Sequence, residues 1–248
     1  MPNLAKLNRR TSVRFQSRRG TLGVTLVELL VGLVVGLIVL LAVLGIYLAT
    51  VRSSSDTLQG MRVNQDLRAA MMVITSDLRR AGYWNQALNA ANPFRLQDTL
   101  GFRIPNASCV RYEYDRNQDG VIDRETESFG FWLDNGRIRM LAEPDQTQVL
   151  TRFNECSTAV GDWVDLAGDD TLQITALSFD ENFQCRNVTP PAGGQDDCAT
   201  VFADATAGDL IVQIRQVDIT LTGQVGPHSM KIEETVRLRN DRRFRYEP

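Results

Sequence analysis

Twenty-one consecutive residues without a charge, positions 29–49, constrain this chain more than anything else in it. As a helix such a run spans about 30 Å, the thickness of a bilayer core. The core helix of a soluble protein rarely supplies so long a stretch. A cleaved secretory signal has a shorter apolar run, followed by a small-residue cleavage site that is missing here. Six basic residues precede the run: Lys6, Arg9, Arg10, Arg14, Arg18 and Arg19. Residues 1–23 contain no Asp or Glu. That asymmetry orients the N-terminus to the cytoplasm and the rest of the chain outward.

A plain anchor does not explain Glu28, which stands at the mouth of the run in Gly23-Val-Thr-Leu-Val-Glu28-Leu-Leu-Val-Gly32. A carboxylate buried unpaired at a membrane boundary costs about 3 kcal/mol, so it calls for a partner. Basic residues, a Gly, an apolar residue, Thr-Leu-Val-Glu and a hydrophobic helix together resemble the type III signal of type IV prepilins and pseudopilins. The resemblance implies that a membrane prepilin peptidase cuts between Gly23 and Val24 and methylates the Val24 amine, making Glu28 the fifth mature residue. Gly20 is a rival cleavage site but would make Glu28 the eighth. The chain departs from the family in having Val24 where Phe is common, and in the spacer Gly20-Thr21-Leu22 after Arg18-Arg19. Glu28 of one subunit is then expected to neutralise the Val24 amine of a neighbour and to set the axial register between helices, a role in specificity more than stability. Gly32 and Gly36 form a small-xxx-small spacing that permits close helix approach, unless it is chance in a Gly-rich segment.

Beyond the membrane run, Leu67, Met71, Ile74, Leu78 and Ala81 recur at spacings of 4, 3, 4 and 3, with Gln65, Arg68, Asp77 and Arg79 between them. This is one apolar stripe on an amphipathic helix. The helix is expected to run from Val24 to Ala81 and stop at Gly82, with a bend at Ser53-Ser54-Ser55. The segment Asp77-Leu-Arg-Arg-Ala-Gly-Tyr-Trp84 and the tail Glu234-Thr-Val-Arg-Leu-Arg-Asn240 resemble the PilW group of minor type IV pilins. Tyr83 and Trp84 are expected to pack the helix end against a sheet.

After Pro93 the pattern shortens to strands. Cys109-Val-Arg-Tyr-Glu-Tyr114 and Phe129-Gly-Phe-Trp-Leu133 alternate, and Asp134-Asn135-Gly136 is a hairpin turn leading into Arg137-Ile-Arg-Met-Leu141. Residues 172–179, 210–221 and 230–238 read as further strands. A change of apolar phase between 214 and 217 predicts a bulge. Residues 186–209, rich in Pro, Gly, Asp and Ala, read as a loop. The class is α+β, a long helix with an antiparallel β-sheet; the pilin resemblance implies the same. The expected organisation is a leader over 1–23, an assembly helix over 24–50, its amphipathic continuation over 51–82 and an exported β-rich domain over 83–248.

Between the first two strands lie Asp115, Asn117, Asp119, Gly120 and Asp123, at positions 1, 3, 5, 6 and 9 of an EF-hand-like calcium loop. Position 12 is Thr126, so Glu125 or Glu127 would have to supply the missing carboxylate. Two readings stay open, a calcium site and an acidic β-turn without metal; no other cofactor is expected. The four cysteines, Cys109, Cys156, Cys185 and Cys198, form no C-x-x-C pair, and His228 is the single histidine, which disfavours zinc. In an exported domain they predict two disulfides. Cys185–Cys198 would close a short loop, leaving Cys109–Cys156.

Without residues 1–23 the chain would hold 21 basic and 30 acidic residues, a net charge of −9, which disfavours nucleic-acid binding. Arg237, Arg239, Arg242, Arg243 and Arg245 read as a solvated strand end and tail. There is no P-loop, dinucleotide fingerprint or H-E-x-x-H, and His228 lies in the turn-like Gly226-Pro-His-Ser229, so no enzyme is expected. The resemblance implies a minor pilin acting in type IV pilus assembly and initiation, supporting motility, adhesion or DNA uptake. Its implied partners are the prepilin peptidase, other minor pilins, the major pilin, the inner-membrane assembly platform and lipid. Its implied place is the inner membrane, with a periplasmic C-terminal domain, and then the pilus. Competing readings are a type II secretion pseudopilin and a pilin-anchored adhesin or ligand-binding module.

Overall fold

A computed structural model describes residues 23–86, 93–94, 101–145, 153–189, 193–238 and 241–247. The basic leader, Gly20 and Arg239 lie outside the described residues. Helix α1 spans Leu26–Leu78. The chain separates into two compact units, the first ending at Ser53 and the second beginning at Ser54. Helical backbone continues through Ser53, Ser54 and Ser55.

In the first unit α1 opens on a capping arrangement. The Thr25 hydroxyl accepts the Glu28 N–H at 3.3 Å, and the Thr25 carbonyl accepts the Leu29 N–H at 3.2 Å. Thr25 and Glu28 have the spacing of a capping box, so the stretch around Glu28 also encodes the helix start. The large apolar side chains from Val24 to Val51 are 47–74 % exposed. Nothing within the described chain covers them. This segment is long and apolar enough to cross a membrane.

The second unit is built on the apolar stripe. Val63, Leu67, Ala70, Met71, Ile74, Leu78 and Ala81 are all buried in one core. Two antiparallel sheets supply the remainder, where the sequence pattern suggested one. The first contains β1 (Phe102–Asn106), β2 (Cys109–Glu113), β3 (Ser128–Asp134), β4 (Arg137–Pro144) and β5 (Gly161–Ala167), in that order. A short helix, α2 (Arg124–Glu127), lies between β2 and β3, and a 3-10 turn over Thr158–Val160 precedes β5. The second sheet contains β6 (Gln173–Asn187), β7 (Gln195–Asp197), β8 (Leu210–Val225), β9 (His228–Arg237) and β10 (Arg242–Arg245), with α3 (Cys198–Asp204) after β7. Strand β8 pairs with β6 along one edge and divides its other edge between β10 and β9. Residues 242–245 of the tail, read as solvated, thus add an edge strand to this sheet while their arginines stay exposed. Likewise the 186–209 segment contributes β7 and α3.

Turn chemistry agrees with the sequence. Asn135 and Gly136 both have positive φ, 49° and 77°, as a type I′ hairpin demands. Gly226 and Pro227 alone connect β8 to β9, and His228 already pairs with Val225. The expected bulge at 214–217 is absent, because β8 stays in register with β6 from Ile211 to Thr222. The irregularity lies in β6, between Ile174 and Ala176. With the strand in register, Val212 and Ile214 fall on the face opposite Val217, Ile219 and Leu221. Val217, Ile219 and Leu221 feed the main core, while Ile211 joins a separate cluster with Cys185 and Val201. Between them, Arg215 pairs with Glu181 at 2.8 Å and lies over the rings of Phe102 and Phe183. Gly223 lets the helix approach the sheet: a Cβ there would stand 2.7 Å from Leu67 Cδ2.

The helix end is tied to the first sheet. The Gly82 N–H donates to the Glu113 carbonyl at 2.8 Å. The Asp77 carboxylate accepts from the phenols of Tyr112 and Tyr114. Burial and the Asp77 carboxylate push the Tyr112 phenol well above its usual range, so it remains a protonated donor. Asp77→Ala strands that buried hydroxyl and is expected to cost about 2–3 kcal/mol, lowering Tm by about 5–10 °C. Adding Tyr112→Phe should recover part of the loss in a double-mutant cycle; strictly additive costs would show that the pair is not coupled.

Candidate functional site

Three places bear on function, and the first is the start of α1. Gly23 and Val24 lie just before the helix and are exposed. Glu28 lies in its first turn, where a carboxylate interacts favourably with the helix N-terminus. Among the described residues the Glu28 carboxylate has no hydrogen-bond or ion-pair partner. Among the described residues, then, neither the apolar faces nor the acid has a complement.

The second place is the pair of disulfides, Cys109–Cys156 and Cys185–Cys198, the pairing preferred from sequence. The first clamps the segment around Phe153 and Glu155 over the outer face of β2. The alternating pattern concealed that all five residues of β2 are buried: Arg111 lies under that cover, and Glu113 pairs with Arg124 of α2. The Arg111 guanidinium donates to Ser128 Oγ at 3.0 Å and to the Phe129 and Glu155 carbonyls at 3.3 Å, and lies over the Phe153 ring. Burial lowers its pKa to about 10, partly offset by Glu113 and Glu155, so it stays cationic at neutral pH. Glu113 is pushed up by burial and held down by Arg124, 2.9 Å away, and by Arg111. The second disulfide joins β6 to α3, beside a small cluster in which Phe202 meets Phe244 and Tyr246 from the C-terminal strand and tail.

The third place is the acidic loop. Asp115 is 1 % exposed, and its Oδ2 accepts the N–H groups of Gly120 and Asn85, each at 3.1 Å. Asn117 Oδ1 accepts the Asp119 N–H at 3.0 Å, and Asp119 Oδ1 the Val121 N–H at 2.8 Å. Gly120 has φ +78° at the sharp turn. Asp123 instead caps α2, accepting from the Glu125 N–H and the Thr126 hydroxyl. Glu127, fully buried, accepts the N–H groups of Arg116, Asn117 and Asp123. It clasps the two ends of the loop from inside, and Glu125 is exposed. Among the described residues no three His, Cys, Asp or Glu side chains stand together as a ready metal cluster.

Trp84 has a role beyond the packing expected of it. Its indole N–H donates to the Gly120 carbonyl at 3.0 Å, while Asn85 and Gln86 donate to the carbonyls of Gln118 and Asp119. The segment that follows the helix thus cradles the acidic loop. The two stretches that carried the PilW resemblance also meet: Arg79 stands 3.6 Å from Glu234, and Leu78, Ala81, Val236 and Leu238 share the main core. His228 sits in the β8–β9 hairpin.

Residues 56–239 match the model of a family described as prepilin peptidase-dependent protein B. No curated protein and no solved structure matches the chain.

Proposed function

This chain belongs to the prepilin peptidase-dependent protein B family, and on that premise we propose that it is a minor pilin, of PilW type, that helps to initiate type IV pilus assembly. Such proteins are structural subunits rather than enzymes. The observation that carries the reading is the agreement of two separate parts of the chain. The family match begins at residue 56, beyond the prepilin-like signal around Gly23 and Glu28, so neither depends on the other. The prepilin peptidase cleaves between Gly23 and Val24 and methylates the Val24 amine. The helix then holds the subunit in the inner membrane with its C-terminal domain in the periplasm. There it meets the assembly platform, other minor pilins and finally the major pilin, in support of motility, adhesion or DNA uptake.

Mass spectrometry of the N-terminus, on protein recovered from membranes and from sheared filaments, tests this. The expected species begins with N-methylated Val24. A chain retaining its leader in cells with an active prepilin peptidase would overturn the reading. A type II secretion pseudopilin would be processed identically, so a deletion strain separates the two systems. Loss of pili with secretion intact is expected here; the reverse would assign the subunit to secretion.

A further inference from the structure

We propose that the loop from Asp115 to Asp123 binds one calcium ion, with Asp115 as its anchoring ligand. The decisive group is the Asp115 carboxylate. The residue is 1 % exposed, and its Oδ1 is sealed from solvent without a hydrogen-bond partner. A buried carboxylate oxygen left unmatched is costly, and in a native fold it points to an ion or water that satisfies it. The other oxygen is already committed to the N–H of Gly120, at the turn of the same loop. One carboxylate therefore braces the turn with one oxygen and has the other left for a cation.

The remaining donors suit calcium. Asn117 and Asp119 are exposed and contribute oxygen atoms two and four residues beyond Asp115. In loops of this order the residue after the glycine, here Val121, supplies a backbone carbonyl, and the ninth residue, Asp123, acts directly or through water. An all-oxygen set favours calcium, with six to eight ligands in adaptable geometry, over magnesium, which demands strict octahedral geometry. Glu127 already holds the backbone at Arg116, Asn117 and Asp123, so the loop keeps its curvature without a bidentate carboxylate at position 12. On binding, the 3.0 Å contact between Asn117 Nδ2 and Asp119 Oδ2 opens and both side chains turn to the ion. Because residues 84–86 grip the loop, the ion would stiffen the junction between the end of α1 and the β2–β3 connection.

The test uses the full-length chain in detergent micelles, with calcium, magnesium or terbium as the probe. Calcium at about 1 mM, against a chelator, is expected to raise Tm by about 3–6 °C for an affinity near 10⁻⁴ M, typical of extracellular modules. Magnesium should do far less. Terbium should luminesce on tryptophan excitation, lose most of that signal in Trp84→Phe, and be displaced by calcium. Asp119→Ala alters an exposed side chain and keeps the fold testable if Asp115→Asn does not fold; each should weaken binding by about tenfold or more, the loss of one charged ligand. An absent Tm shift and absent terbium signal up to about 10 mM calcium would overturn the proposal. So would wild-type affinity in Asp119→Ala, or a magnesium response equal to that of calcium.

Discussion

Glu28→Ala is expected to leave the chain in the membrane fraction and to remove it from filaments. Insertion depends on the uncharged run at 29–49, which the substitution does not touch. Assembly poses a different problem. With the proposed cleavage between Gly23 and Val24, the Val24 amine would be a cation at the tip of an apolar helix. Packed among other such helices it must either keep its water or find an anion. Glu28 is an acid without a partner among the described residues, one helical turn from that amine. Breaking a buried charge pair by deleting one partner costs about 3–5 kcal/mol, or more than about a hundredfold in occupancy. The measurement is the ratio of subunit in sheared filaments to subunit in membranes, with N-terminal cleavage checked in both. Wild-type incorporation of a correctly processed Glu28→Ala chain would refute the pairing. Glu28→Gln separates charge from shape and should behave like the alanine variant.

Loss of the disulfides is expected to be the largest stability effect. Cys109–Cys156 spans 47 residues and Cys185–Cys198 spans 13. On loop-closure entropy alone these correspond to about 4 and about 3 kcal/mol. Cys109→Ser with Cys156→Ser should lower Tm by about 8–16 °C, the more so because it frees the segment that shields Arg111. Cys185→Ser with Cys198→Ser should cost less and act locally, on the cluster of Val201, Ile211 and Phe202. Thermal melts of the full chain in micelles, with the intact mass four protons below that of the reduced chain, provide the check. A Tm within a degree of wild type for the first pair would remove the clamp from the account.

Much of the second unit was legible in the sequence because its signals are local or periodic. The stripe from Leu67 to Ala81 is a property of helical spacing. Asn135 and Gly136 specify their turn through backbone sterics. The short loop between Cys185 and Cys198 favours their pairing. The acidic loop likewise announced its glycine turn, but spacing left Glu125 and Glu127 as alternatives for the missing carboxylate, and in the fold the Glu127 carboxylate faces inward to three backbone N–H groups. No spacing rule tells an inward carboxylate from an outward one when both stand near the end of a loop. Arg111 and Glu113 were hidden for a related reason. Alternation says that two faces differ; it does not say that a distant segment will cover the polar face.

What the sequence by itself determined is the apolar run, the acid at its mouth and the stripe that follows. These rest on helix geometry and on the cost of placing charge or polar backbone in hydrocarbon, and neither needs knowledge of distant residues. Only the tertiary structure decided that the strands divide into two sheets, that residues 242–245 of the arginine-rich tail add an edge strand to the second of them, and that the residues after the helix cradle the acidic loop. Those outcomes depend on which surfaces meet across long separations in sequence. That is settled by burial and hydrogen-bond satisfaction in the assembled fold, and no local pattern encodes it.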